Sequence, residues 1–93
     1  KYPLVSRDYA LLVDENVAYQ NIVKELKKAS NYIKNIELFD LYKGSNIKEG
    51  KVSIALSITL EKLDNTFTNE EISQIDAKVK DVIVNKIKGE LRS

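Results

Sequence analysis

The chain has no cysteine and no histidine. The first absence excludes disulfides and thiolate metal sites. The second removes the commonest general base and the commonest metal ligand. Carboxylates and lysines are what remain for an active site, a thin inventory. Glycine occurs only at positions 44, 50 and 89, so no glycine-rich phosphate cradle follows the first apolar run. No apolar run approaches the roughly 20 residues that a membrane helix needs, and no signal-peptide pattern is present. The lack of cysteine fits a cytoplasmic location. The first residue is Lys1 rather than Met, and the chain is expected to be a fragment of a longer protein.

Ninety-three residues make one domain, 1–93, with 43% apolar and 31% charged residues, ordinary values for a globular fold. A chain of this size buries only about 60–65% of the surface its unfolded form exposes, so there is no room for a second core. Net charge is +1, far from the strongly basic balance that marks many nucleic-acid binders. The distribution is less even: residues 21–53 carry seven lysines against four acids. A tilt of that size is common on solvated surfaces.

Residues 4–13, "LVSRDYALLV", read as a central strand covered in part on both faces, with Pro3 at its mouth. Residues 18–33 read as a helix: Tyr19, Ile22, Val23, Leu26, Ala29 and Ile33 form the apolar stripe, and Asp14 and Glu15 precede it where a helix dipole favours negative charge. A second strand covers 36–43, and a third covers 52–61 with the clearest period of two in the chain. In the latter, Val52, Ile54, Leu56, Ile58 and Leu60 alternate with Ser53, Ala55, Ser57 and Thr59. The loop between them is bounded by Gly44 and Gly50, which can supply positive φ. "TNEE" at 68–71 is a capping box opening a helix over 69–88, with Gly89 as its C-cap. "ELRS" is long enough for a short edge strand.

The order β-α-β-β-α-β predicts an α+β, ferredoxin-like fold: a four-stranded antiparallel sheet with both helices on one face and the other face open. The third strand then turns its large aliphatics to the helices and its small residues outward.

The fold alone settles no function. A small acylphosphatase would need a glycine-rich, arginine-bearing loop after the first strand. Arg7 lies inside a strand instead, where an ion pair with a neighbouring acid is its plainest role. A protein-interaction or regulatory module would use a helix face or sheet edge. A third possibility is RNA: open sheets of this topology bind unpaired bases by stacking on exposed aromatics. Tyr42 is the aromatic that parity places on the open face, and Ile36, Leu38 and Asp40 share its parity. Asp40, two residues away, can accept from the N1–H and N2–H₂ donors of a guanine edge. Ser53 and Ala55 are small enough to let a base lie close.

These residues carry a resemblance. "YPLVSRDYALLV", "LFDLYKGSNIKEGKVSIAL", "TFTNEEI" and "GELR", in that order and spacing, resemble the ferredoxin-fold anticodon-binding domain at the C-terminus of the phenylalanine–tRNA ligase beta chain. The resemblance runs from Tyr2 to Arg92. It implies a module, itself non-catalytic, that docks on the anticodon stem-loop of tRNA(Phe). Aminoacylation, with ATP and Mg2+, would lie elsewhere in a cytoplasmic enzyme of alpha and beta subunits. No cofactor, metal or membrane contact is implied for the domain itself. Carried over by position, the anticodon-reading residues are Ala10, Asp40, Tyr42 and Ser53. Tyr42 would stack on a base, Asp40 and Ser53 would bond base edges, and Ala10 would form the floor. Lys43, Lys48 and Lys51 flank them as candidates for phosphate contacts. Val52 and Asn65 depart from the family's usual basic residues at those positions, and Tyr9 replaces a usual aliphatic residue and is expected in the core.

Overall fold

A computed structural model of the protein describes residues 4–92, and Pro3 lies outside them. The elements are β1 (Val5–Asp14), α1 (Tyr19–Lys27), β2 (Ile33–Tyr42), β3 (Lys51–Leu60), α2 (Asn69–Asn85) and β4 (Glu90–Leu91). The strands form one sheet in the order β2-β3-β1-β4, and every neighbouring pair is antiparallel. This is the expected ferredoxin-like α+β arrangement.

One sheet face carries the core. Tyr9, Leu11 and Val13 of β1 and Ile54, Leu56, Ile58 and Leu60 of β3 are buried with Ile22 and Leu26 of α1 and Ile75, Val79 and Ile83 of α2. Both helices therefore cover that face. Removing the side chain of a residue as buried as Leu56 would cost about 2–5 kcal/mol. The opposite face is formed by the alternate residues. Ser6, Asp8, Ala10 and Leu12 of β1 stand in register with Thr59, Ser57, Ala55 and Ser53 of β3.

Helix α1 ends at Lys27 rather than 33. Beyond it the Ser30 hydroxyl accepts the Tyr32 N–H at 3.1 Å, a local bond that competes with helix. Ile33 opens β2 opposite Leu60. Its spacing matched the helical stripe because helix and strand here face the same core. Asp14 serves a turn, its Oδ1 accepting the Asn16 N–H at 2.9 Å, and there is no acidic residue in the first turn of α1.

Helix α2 opens on the expected capping box. Thr68 Oγ1 accepts the Glu71 N–H at 3.1 Å, and the Glu71 carboxylate accepts the Thr68 N–H at 2.9 Å. Its last residue is Asn85, and the left-handed position after it is Lys88 (φ 64°), not Gly89. Gly89 answers to space: its N–H bonds Ile83 O at 2.7 Å, and a Cβ there would lie 3.2 Å from Leu12 O and 3.3 Å from Val13 Cγ1. Of the two loop glycines, Gly50 alone has positive φ (85°).

Candidate nucleic-acid interface

The site is positioned by a β-bulge. Leu38 pairs with Leu56, yet Asp40, not Phe39, pairs with Ala55, so Phe39 is an extra residue in β2. A bulge of this kind shifts every later side chain to the other face. Ile36 and Leu38 point to the core, while Asp40 and Tyr42 stand on the open face opposite Ala55 and Ser53. Without the bulge, the parity they share with Ile36 and Leu38 would send them under the helices.

Two rungs result. Asp40, Ala55 and Ala10 form one across β2, β3 and β1, and Tyr42, Ser53 and Leu12 form the next. All four residues expected to read the anticodon thus lie on one face within two adjacent rungs. Ala10 and Ala55 give the first rung a low floor. Asp40 is exposed, and among the described residues its carboxylate takes part in no hydrogen bond or ion pair. Tyr42 is 44% exposed, and its phenol rests in the space left by the missing side chain of Gly44, where a Cβ would overlap it.

Ser53 differs from expectation in its surroundings. It is only 8% exposed, because Arg92 lies across it: Arg92 Nη1 donates to Ser53 Oγ at 2.9 Å, and the Arg92 N–H bonds Ala10 O at 2.8 Å. Arg92 thereby presents a guanidinium over the centre of the face, held at backbone and side chain. Sequence reasoning missed it as a site residue. The available signal was its parity with Glu90 on the last strand, once that strand is placed beside β1.

The three flanking lysines are not equivalent. Lys43 is engaged by Glu15, Nζ to Oε1 at 2.5 Å. Lys48 and Lys51 have no ion pair among the described residues. The hairpin loop that bears Lys48 is folded about the buried Ile47, whose N–H bonds Gly44 O at 3.0 Å. Arg7 donates to the Ser6 carbonyl at 2.8 Å and makes no ion pair among the described residues.

Behind the face, Tyr9 is buried as expected and keeps a polar handle: its hydroxyl donates to Asp76 Oδ1 at 2.6 Å. Burial, then the bond to Asp76, pushes the phenol well above the usual tyrosine range. Burial alone would raise Asp76, but the bonds from Tyr9 and Lys80 outweigh it and hold the carboxyl below its ordinary value. This pair ties β1 to α2 and so fixes the strand that carries Ala10.

The open face of the antiparallel sheet thus brings together a small-residue floor, a perched tyrosine, a carboxylate unpaired among the described residues and an anchored guanidinium. The model of the ferredoxin-fold anticodon binding domain matches residues 1–92, and the chain belongs to that family. It is similar to the phenylalanine–tRNA ligase beta subunit of Clostridium tetani, 39% identical over 93 residues that make up 99% of this chain and 12% of that protein. The beta subunit of Streptococcus agalactiae is likewise 39% identical over 93 residues, and that of Ehrlichia canis 36% over 94. The chain spans about 12% of the length of these curated relatives. No helix among the described residues is long and apolar enough to cross a membrane.

Proposed function

We propose that this chain is the module of a phenylalanine–tRNA ligase beta subunit that docks on the anticodon stem-loop of tRNA(Phe) through its open sheet face. The observation that carries the reading is the two-rung cluster of Ala10, Asp40, Tyr42 and Ser53, assembled on one face by the Phe39 bulge. Tyr42 stacks on an unpaired base, an interaction worth about 1–3 kcal/mol. Asp40 accepts from a base edge. Ser53 acts through Arg92, whose remaining donors face outward to a base or a phosphate. Ala10 keeps the floor low beneath the stacked nucleotide, and Lys43, Lys48 and Lys51 lie near the path of the backbone.

The aminoacylation chemistry, with ATP and Mg2+, belongs to the rest of a cytoplasmic enzyme in which the remainder of the beta subunit and the alpha subunit are the protein partners. A net charge of +1 supports weak binding by this chain alone, with affinity in the enzyme coming from several tethered contacts. The alternative of a protein-interaction module draws on Phe39 and Leu41, more than half exposed at the β2 edge.

Fluorescence anisotropy of a labelled tRNA(Phe) anticodon stem-loop, compared with the same stem bearing an unrelated loop, tests the reading. Preference for the cognate loop that disappears in Tyr42→Ala supports it. Equal binding of both loops, or none, points to the interaction module.

A further inference from the structure

Beside the Tyr42 rung, at the sheet end where β3 begins, an open groove of about 450 Å3 runs between the hairpin loop and the turn joining α2 to β4. Its walls include Leu12, Lys48, Lys51, Lys88 and Glu90. We propose that this groove holds the phosphodiester backbone of the RNA strand as it leaves the Tyr42–Ser53 rung, with Lys88 as a phosphate contact; this inference rests on the anticodon-docking reading above.

Four observations carry it. The groove is continuous with the face, since Leu12 stands in register with Ser53 and Lys51 belongs to the same outward column of β3. Three lysines reach it from three separate places: the hairpin loop, the start of β3 and the turn after α2. None of the three is ion-paired among the described residues, whereas nearby Lys43 is taken by Glu15. With Glu90 as the one acid in the lining, the groove keeps a surplus of positive charge.

The backbone at Lys88 adds to this. Its φ of 64° is a conformation that glycine adopts freely and that costs a side-chain-bearing residue about 1 kcal/mol. Glycine is the next residue along, yet lysine occupies the left-handed position. The Gly89 N–H to Ile83 O bond at 2.7 Å pins the turn, so the ammonium springs from a fixed base. A polyanion that crosses the face and continues over its end meets these ammonium groups in sequence.

The test is stem-loop binding by the 93-residue chain over a range of salt concentrations, for Lys88→Gln, Lys51→Gln and Tyr42→Ala. Amide spectra verify that each variant is folded. At about 50 mM salt, Lys88→Gln and Lys51→Gln are each expected to weaken binding on the order of five- to tenfold. Each should also flatten the log–log salt slope by about 0.7, the value for one single-strand phosphate contact. Tyr42→Ala should weaken binding with the slope unchanged. If Lys88→Gln leaves affinity and slope as they were while Tyr42→Ala still weakens binding, the groove assignment is overturned and the docking reading stands. If Tyr42→Ala has no effect, or the native chain does not bind, the docking reading fails and takes the groove with it.

Discussion

The phenol of Tyr42 lies where the side chain of residue 44 would be if that residue were not glycine. Gly44 has no left-handed backbone to protect, so its need for glycine is steric and concerns one ring. Gly44→Ala is expected to swing Tyr42 out of its seat while leaving the core untouched. Chemical denaturation should change by less than about 1 kcal/mol, as for surface substitutions generally. Stem-loop affinity should fall toward that of Tyr42→Ala, a loss of about 1–3 kcal/mol. Native affinity in Gly44→Ala would mean that the ring's seat is irrelevant to the ligand.

Arg92 and Ser53 form a second pair with separable parts. Arg92→Lys retains the charge and loses the planar fork that bonds Ser53 and reaches outward. If the guanidinium is a contact, Arg92→Lys and Arg92→Ala should both weaken cognate binding, by about 1–3 kcal/mol for the alanine. If that contact is to a phosphate, only the alanine should reduce the salt slope. Isothermal titration at two salt concentrations separates these outcomes. Equal slopes for the two variants would argue against a phosphate contact at Arg92, and native affinity in both would argue against a base contact.

The capping box is a purely structural test. Thr68→Ala removes the acceptor for the Glu71 N–H and is expected to cost about 1 kcal/mol, read as a shift in urea midpoint with unchanged slope. RNA binding should be unaffected, because α2 lies beneath the sheet. Lost binding in a folded Thr68→Ala chain would place a contact on the helix side.

Stability should depend on pH at both extremes. Glu71 titrates low because Lys62 and the Thr68 N–H donate to it. Asp76 also titrates low, the bonds from Tyr9 and Lys80 exceeding the opposing effect of burial. Both carboxylates hold protons less readily folded than unfolded. Their contribution is present above the ordinary carboxylate range, about pH 4, and is lost as pH falls through their lowered values. Tyr9 is shifted the other way, by burial first and then by Asp76. Its contribution is present below about pH 10 and is lost as pH rises. Tyr9→Phe should cost about 1 kcal/mol at neutral pH and flatten both limbs of the urea-midpoint profile. A steeper acid limb in Tyr9→Phe would contradict the assignment of the Tyr9–Asp76 bond.

Much of the fold was legible because β3 and α2 announce themselves. The strict alternation from Val52 to Leu60 and the Thr68–Glu71 spacing are local patterns with one physical solution each. The errors fell where two solutions share a pattern. Ile33 sits at helical spacing from Ala29 and Leu26, but a strand facing the same core places it equally well. Asp40 and Tyr42 are expected on the open face by parity, yet the same parity joins them to Ile36 and Leu38, which face the core. The bulge at Phe39 that reconciles these facts depends on pairing with β3, which no single-strand pattern records. Arg92 escaped notice because its role appears only when β4 is laid beside β1 and its side chain crosses to Ser53, 39 positions away. Ser53 itself was expected to be freely accessible, and its burial follows from the same crossing.

The most direct measurement is an amide chemical-shift titration of the chain with the tRNA(Phe) anticodon stem-loop at low salt. Shifts are expected to cluster on Ala10, Asp40, Tyr42, Ser53 and Arg92 and to be lost in Tyr42→Ala. Shifts confined to the lysines of α1, with the open face silent, would contradict docking through that face.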